Sequence, residues 1–346
     1  MTDSIFKEGG SHKIRRTGHD QYSMSISIPE DADGRVAREC PTDSCSPGYF
    51  KVTPGTGITV GHNKAFCPYC RHASHPNDFA TSEQIRYAKD LVMREAHSGI
   101  EKMLQNALGI GPSGKKKIGG DFLSIEMSYK PGPKPYVRRP FEENLRRDII
   151  CPYCGLDQSV FGLAVWCADC GKDIFLTHVK AELSVLKTML SDVGRRREEL
   201  GARIAAKDLE NSLEDIVSIY EAVIRVLVRR HLSDAGKPQD EIDKIFSKKI
   251  GNSFQNVKRA WNIIDALFSM DLYEGLKTED VDMLAGIFEK RHPITHNLGV
   301  VDKKYIENAM NDEREGREVL VSEDEIKFAL DLSLRVFESL HKKLFS

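Results

Sequence analysis

The sequence predicts an α+β protein of several domains: two small β-rich modules with a helix between them, followed by an all-α bundle. Two observations predict this. All eight cysteines lie in the first half of the chain, in four close pairs: Cys40/Cys45, Cys67/Cys70, Cys151/Cys154 and Cys167/Cys170. From about residue 177 onward cysteine is absent, glycine thins out and apolar residues recur at helical spacing.

Cysteines spaced this closely turn both sulfurs toward one point, and two such pairs complete the tetrahedral shell that zinc prefers. Two structural Zn2+ per chain are therefore expected. A closed four-sulfur shell leaves no position for water or substrate, so these metals build structure and no catalytic metal is expected. The chain has 346 residues, a net charge of −2 and 40% hydrophobic residues, which excludes a simple basic nucleic-acid coat. The N-terminus lacks the apolar core of a signal peptide, and Glu221 and Arg225 interrupt the most apolar stretch, 216–228. A cytoplasmic protein without a membrane partner is expected. Reducing conditions there favour metal over disulfides.

Residues 1–20 show neither period of secondary structure and predict a mobile tail. Alternation from Tyr22 to Ile28 predicts a strand. The first zinc-ribbon module spans 21–80, with Cys40/Cys45 and Cys67/Cys70 as its corners and a glycine-punctuated hairpin over 48–60 between them. Arg71 stands after Cys70 where a glycine is usual, and His72 and His75 lie close by, although four cysteines already fill a shell.

Residues 81–148 predict a helix and a basic linker. The helix covers 82–108, with Ile85, Leu91, Ile100 and Leu104 on its apolar face. Gly109 to Lys115 has P-loop spacing, but Lys116 replaces the magnesium-binding hydroxyl and a helix precedes the glycines where a strand is needed; a basic loop is predicted. Lys115, Lys116, Lys117, Arg138 and Arg139, with Tyr129 and Tyr136, make a patch that suits either phosphates or solvent. The second module, 149–176, carries Cys151-Pro-Tyr-Cys-Gly155 and Cys167-Ala-Asp-Cys-Gly171, each glycine letting amides turn back toward sulfur, with a hairpin over 160–166. Both modules resemble zinc ribbons, which implies the metal and the fold but not the ligand. Which cysteine sets combine stays open at this level.

Residues 177–346 form the helical domain, with helices predicted over 176–203, 206–232, 239–249, 253–270, 279–291, 302–311 and 323–344, and a charged loop over 312–318. Ile216, Tyr220, Val223, Ile224 and Leu227 make one apolar stripe, and Leu332, Val336, Phe337 and Leu340 another. One segment, Phe288 to Val300, does not fit a purely structural helix. Arg291, His292, His296 and Asn297 crowd around Pro293, which normally bends or restarts a helix. A zinc-protease reading is weaker, because a His-Glu-x-x-His helix needs glutamate directly after its first histidine and Pro293 occupies that position.

Arg291, a polar His292, three further residues and His296 resemble the Arg-polar-x-x-x-His signature of the HEPN superfamily. Its members are helical bundles and frequently metal-independent endoribonucleases. Asn297-Leu-Gly299, Asp302 and Tyr305 look most similar to the Apea-like branch, and the resemblance covers roughly 205–346. It implies RNA as partner, a homodimer and a composite cleft. In such a cleft Arg291 suits phosphate stabilisation, His296 proton transfer, His292 orientation and Asn297 sugar or backbone contacts. Asp215 is positioned to steer a histidine tautomer or bind Arg291. The expected function is metal-independent RNA cleavage, in the setting of a toxin or anti-phage effector, with the ribbons recognising RNA or sensing an activating protein or nucleic acid. The alternative is a non-catalytic zinc-ribbon nucleic-acid-binding or regulatory protein whose bundle only dimerises; an adaptor braced by zinc is a third possibility.

Overall fold

The computed structural model describes residues 5–345 apart from 7, 10–11, 20, 111–113, 120–123 and 310–313. Parts of the expected tail, of the P-loop-like segment, and of the 302–311 helix and the loop after it lie outside the described residues. The chain divides into two compact units, residues 1–161 with 166–172, and residues 162–165 with 173–346.

In the first unit, β1 (Arg15–Gly18) pairs antiparallel with β2 (Gln21–Ser23). The end of the expected tail is therefore a hairpin, anchored by buried Ile14. The strand expected over 22–28 is confined to its first two residues, because beyond Ser23 the alternating side chains find no partner strand among the described residues. Next come β3 (Val36–Glu39), β4 (Tyr49–Val52), β5 (Ala65–Phe66) and β6 (Ala73–Ser74). After α1 (Ser82–Leu108) follow β7 (Lys115–Gly119), β8 (Ser124–Ser128), β9 (Arg147–Ile150) and β10 (Asp157–Val160).

Four of these strands make one antiparallel sheet in the order β3-β4-β10-β9. Both expected hairpins were placed between cysteine pairs; the strands instead flank them, β3 and β4 around Cys40/Cys45 and β9 and β10 around Cys151/Cys154. The reason is geometric. A cysteine knuckle reverses the chain, so it serves as the hairpin turn, and hydrogen bonds donated by the Cys40 amide to Gly48 O (3.0 Å) and by the Cys151 amide to Leu156 O (2.8 Å) carry the ladder into it. The central pair β4–β10 then joins what the sequence presents as two ribbons into one sheet.

Helix α1 begins at a capping box in which Thr81 and Gln84 exchange hydrogen bonds, and the Gln84 amide also donates to Ala37 O at 2.9 Å, fixing the helix to β3. Burial ends early. Leu91 is enclosed, but Ile85, Ile100 and Leu104 of the expected apolar face remain exposed. Gly109 closes the helix in a left-handed conformation, and the Lys116 ammonium reaches the last-turn carbonyl of Leu108 at 3.0 Å, a favourable cation at a helix C-terminus.

The second unit contains α2 (Phe175–Leu200), α3 (Ala202–Asp234), α4 (Gln239–Ile245), α5 (Val257–Phe268), α6 (Thr278–Glu289), α7 (Arg291–Asn297), α8 (Lys303–Ala309) and α9 (Glu323–Phe345). Helix α3 is the spine: Ile216, Val217, Tyr220, Val223, Ile224, Leu227 and Val228 are fully enclosed, with α2 and α9 packed against it. Each such side chain contributes about 1.5–3 kcal/mol. Tyr220 keeps its polar tip satisfied at 2.8 Å from the Tyr273 hydroxyl, which in turn donates to Val257 O. This unit starts earlier than the expected boundary. Ile174 and Phe175 are buried in it, and the Ala164 amide donates to Nδ1 of buried His178 at 2.9 Å, which draws 162–165 into the helical unit.

Candidate metal centres and active site

The pairing left open by spacing is settled by the fold: Cys40, Cys45, Cys67 and Cys70 converge, as do Cys151, Cys154, Cys167 and Cys170. Neighbouring sulfurs lie 3.5–3.7 Å apart. A tetrahedral zinc with bonds of about 2.3 Å requires sulfurs about 3.8 Å apart, so both shells fit that ion in donor type and size. His72 and His75 are outside the first shell; His75 caps a short 3-10 turn instead. Three corners share one hydrogen-bond scheme, with the amides of Arg71, Gly155 and Gly171 returning to the carbonyls of Cys67, Cys151 and Cys167. Arg71 holds the left-handed conformation (φ 62°) without being glycine, and its guanidinium stacks 4.2 Å from the Trp166 ring. Burial pushes the Cys45 thiol up to about 12 and the Cys154 thiol up to about 11, whereas a hydrogen bond with Cys67 holds Cys70 down to about 5.

The two centres are one construction. Phe66 N–H donates to Ala168 O at 2.8 Å and Trp166 N–H donates to Pro68 O at 3.0 Å, so the knuckles at 67–70 and 167–170 are hydrogen-bonded to each other. Buried Gln158 on β10 bridges them to the sheet, donating to Trp166 O and accepting from the Ala168 amide. Asp169, enclosed between two metal ligands, accepts from the Ile58 amide at 3.1 Å and faces Arg38 at 3.7 Å and His62 at 3.5 Å. A Cβ on Gly57 would collide with its carboxylate, so this approach needs glycine. Sequence reading missed Asp169, Gln158, Arg38 and His62 as supports. The Asp within Cys167-Ala-Asp-Cys170 was the available signal.

The polar cluster sits on α7. The helix restarts at Arg291, two residues before Pro293, so the proline falls in the first turn where its missing N–H has no helical partner to lose. Lys290 fixes this junction by donating to Glu325 of α9 and to Leu320 O, both at 2.7 Å. Arg291 donates to the Gln255 side-chain carbonyl at 2.7 Å, and Gln255 donates to Glu221 of α3 at 2.7 Å. No carboxylate pairs with Arg291 among the described residues. His292 and His296 lie one turn apart with rings 5.1 Å between centres. His292 faces Asp302 at 3.9 Å; burial, with Lys304 and His296, holds its pKa below the usual value against the opposing pull of Asp302 and Glu289.

The remaining sequence candidates are placed as follows. Asn297 donates to Val300 O at 2.7 Å, engaged in the turn that ends α7. Asp215 does not reach the cluster: it bonds neither Arg291 nor either histidine among the described residues, and its pKa is raised by desolvation and by Glu214. The acid one residue earlier, Glu214, reaches α7 instead, accepting from the Thr295 hydroxyl at 2.9 Å. Asp302 both caps α8 through the Tyr305 amide and faces His292. Lys115 pairs with Glu126 across the β7–β8 hairpin, Lys116 serves α1, and Lys117, Arg138 and Arg139 are exposed. No helix among the described residues is long and apolar enough to cross a membrane. No protein-family model, curated protein or solved structure matches the chain.

Proposed function

We propose that the protein is a metal-independent endoribonuclease of the HEPN type, working as a homodimer, with two structural Zn2+ per chain that brace the β unit and cannot take part in the reaction. The observation that carries this reading is the state of Arg291. Its guanidinium is held by the neutral amide of Gln255, leaving its charge uncompensated by any carboxylate among the described residues, on the same short helix as a histidine pair one turn apart. A guanidinium without a carboxylate partner keeps its full charge for the fork-shaped recognition of phosphate oxygens.

In the reaction, a histidine removes the proton of a ribose 2′-hydroxyl, whose oxygen attacks the adjacent phosphorus. Arg291 stabilises the added negative charge, the bond to the 5′-oxygen breaks, and a second histidine protonates that oxygen. The products carry a 2′,3′-cyclic phosphate and a 5′-hydroxyl. His296 from each of two protomers supplies base and acid, and His292, set between His296 and Asp302, orients the pair. The cellular setting we favour is a toxin or anti-phage effector released by a nucleic-acid or protein trigger at the zinc unit.

The test is incubation of a total RNA pool in excess EDTA, with end analysis. Wild type is expected to give cyclic phosphate ends, and Arg291→Ala and His296→Ala to lose at least about 100-fold in rate while keeping fold and zinc. Full activity in both variants, or a wild type that binds RNA without cutting it, overturns the proposal.

A further inference from the structure

The segment Tyr129-Lys-Pro-Gly-Pro-Lys-Pro-Tyr-Val-Arg-Arg-Pro-Phe141 has four cations and no acid. Prolines 131, 133, 135 and 140 fix much of its backbone in extended form, and hydrogen bonds donated by the backbone amides of Arg138 and Phe141 to the carboxylates of Asp90 and Glu83, each 3.4 Å, hold it along α1. Two aromatic rings follow prolines directly. Tyr136 is 80% exposed and Phe141 69% exposed, and neither ring has an aromatic or cation partner among the described residues. Covering a ring of this size removes a large apolar area from water. Arg138 and Arg139 lie between them, exposed and without a salt bridge among the described residues.

We infer that this segment is a stacking platform for single-stranded RNA. Rings standing on a stiff rail offer flat faces to unpaired bases, while the interleaved guanidinium groups neutralise the backbone phosphates. The five-residue step from Tyr136 to Phe141 spans about 15 Å in a polyproline-type backbone, so the rings serve separate bases of one strand. A duplex hides its base faces and cannot use the rings. Because four prolines already restrict the backbone, less conformational freedom is lost on binding than for a proline-free segment. The inference rests on the proposed activity for the choice of RNA as the polyanion; the rings and cations of the rail are separate from Arg291 and His296.

The experiment uses the full-length, zinc-loaded protein carrying Arg291→Ala and His296→Ala, so that binding is read without cleavage. Fluorescence anisotropy compares a labelled mixed-sequence single-stranded RNA, the same sequence as a duplex, and an acidic peptide. The single strand is expected to bind at least about tenfold more tightly than either competitor. Adding Tyr136→Ala with Phe141→Ala should weaken it by about 10- to 100-fold at constant zinc content, with the salt dependence unchanged. Arg138→Ala with Arg139→Ala should instead reduce the log–log salt slope by about 1.4. Equal binding of the duplex, preference for the peptide, or no loss on removing both rings overturns the inference. RNA cleavage with no ring effect would sink the platform alone; ring-dependent binding without cleavage in the parent protein would sink the catalytic reading alone.

Discussion

Asp173 shows what one residue contributes to the helical unit. Burial opposes its ionisation, but His341 Nε2 at 3.1 Å, the Phe175 amide at 2.9 Å and Arg230 outweigh that and hold it at about 2. A carboxylate whose folded pKa is depressed adds stability above its unfolded pKa, and that stability is lost as pH falls from about 4 toward 2. The contribution is about 2 kcal/mol. Chemical denaturation of wild type and Asp173→Asn at stepped pH is expected to show a gap at pH 6 that has narrowed to a small remnant by pH 2; a constant gap would refute the assignment. The same scale shows how motif and environment diverge. Tyr69 and Tyr153 occupy the same place in two Cys-Pro-Tyr-Cys knuckles, yet Tyr69 hydrogen-bonds Tyr49 O and the Phe161 amide, whereas Tyr153 is exposed beside Lys172.

At the scale of the element, the knuckles follow backbone rules that were readable, and neighbours that were not. Gly155 and Gly171 both adopt positive φ, as their position after the second cysteine predicts. A Cβ on Gly155 would meet nothing within 4 Å, but on Gly171 it would lie 2.8 Å from the Phe66 ring. Gly155→Ala should therefore cost only the conformational strain of about 1–2 kcal/mol, and Gly171→Ala clearly more. Urea unfolding of the zinc-loaded variants checks the order; equal losses would show that the ring yields freely. Helix positions were legible for a similar reason: the apolar period of α2, α3 and α9 is a local signal, and their boundaries fall within a few residues of expectation. The strands were less so. Their short lengths leave pairing to be set by partners far along the chain, as β4 with β10.

At the scale of the molecule, the joined knuckles make the two metal centres interdependent. Breaking one shell removes a folded support from the other, through Phe66, Trp166 and Gln158. Cys70→Ser is accordingly expected to reduce bound zinc from two per chain to well below one, measured by elemental analysis after gel filtration. Retention of one full equivalent would mean that the centres are independent.

What the sequence determined by itself was local chemistry: eight cysteines at metal-ligand spacing, helices of the right period, and an arginine and two histidines around a proline. Spacing along a chain dictates which side chains share a knuckle or a helix face, so these features needed no partner. Tertiary structure alone decided which cysteine sets share a shell, that two ribbons share one sheet, and that Glu214 and Gln255, not Asp215, reach α7. Those are contacts between residues far apart in the chain, chosen by packing and by the pairing of buried backbone groups, and no local pattern encodes them.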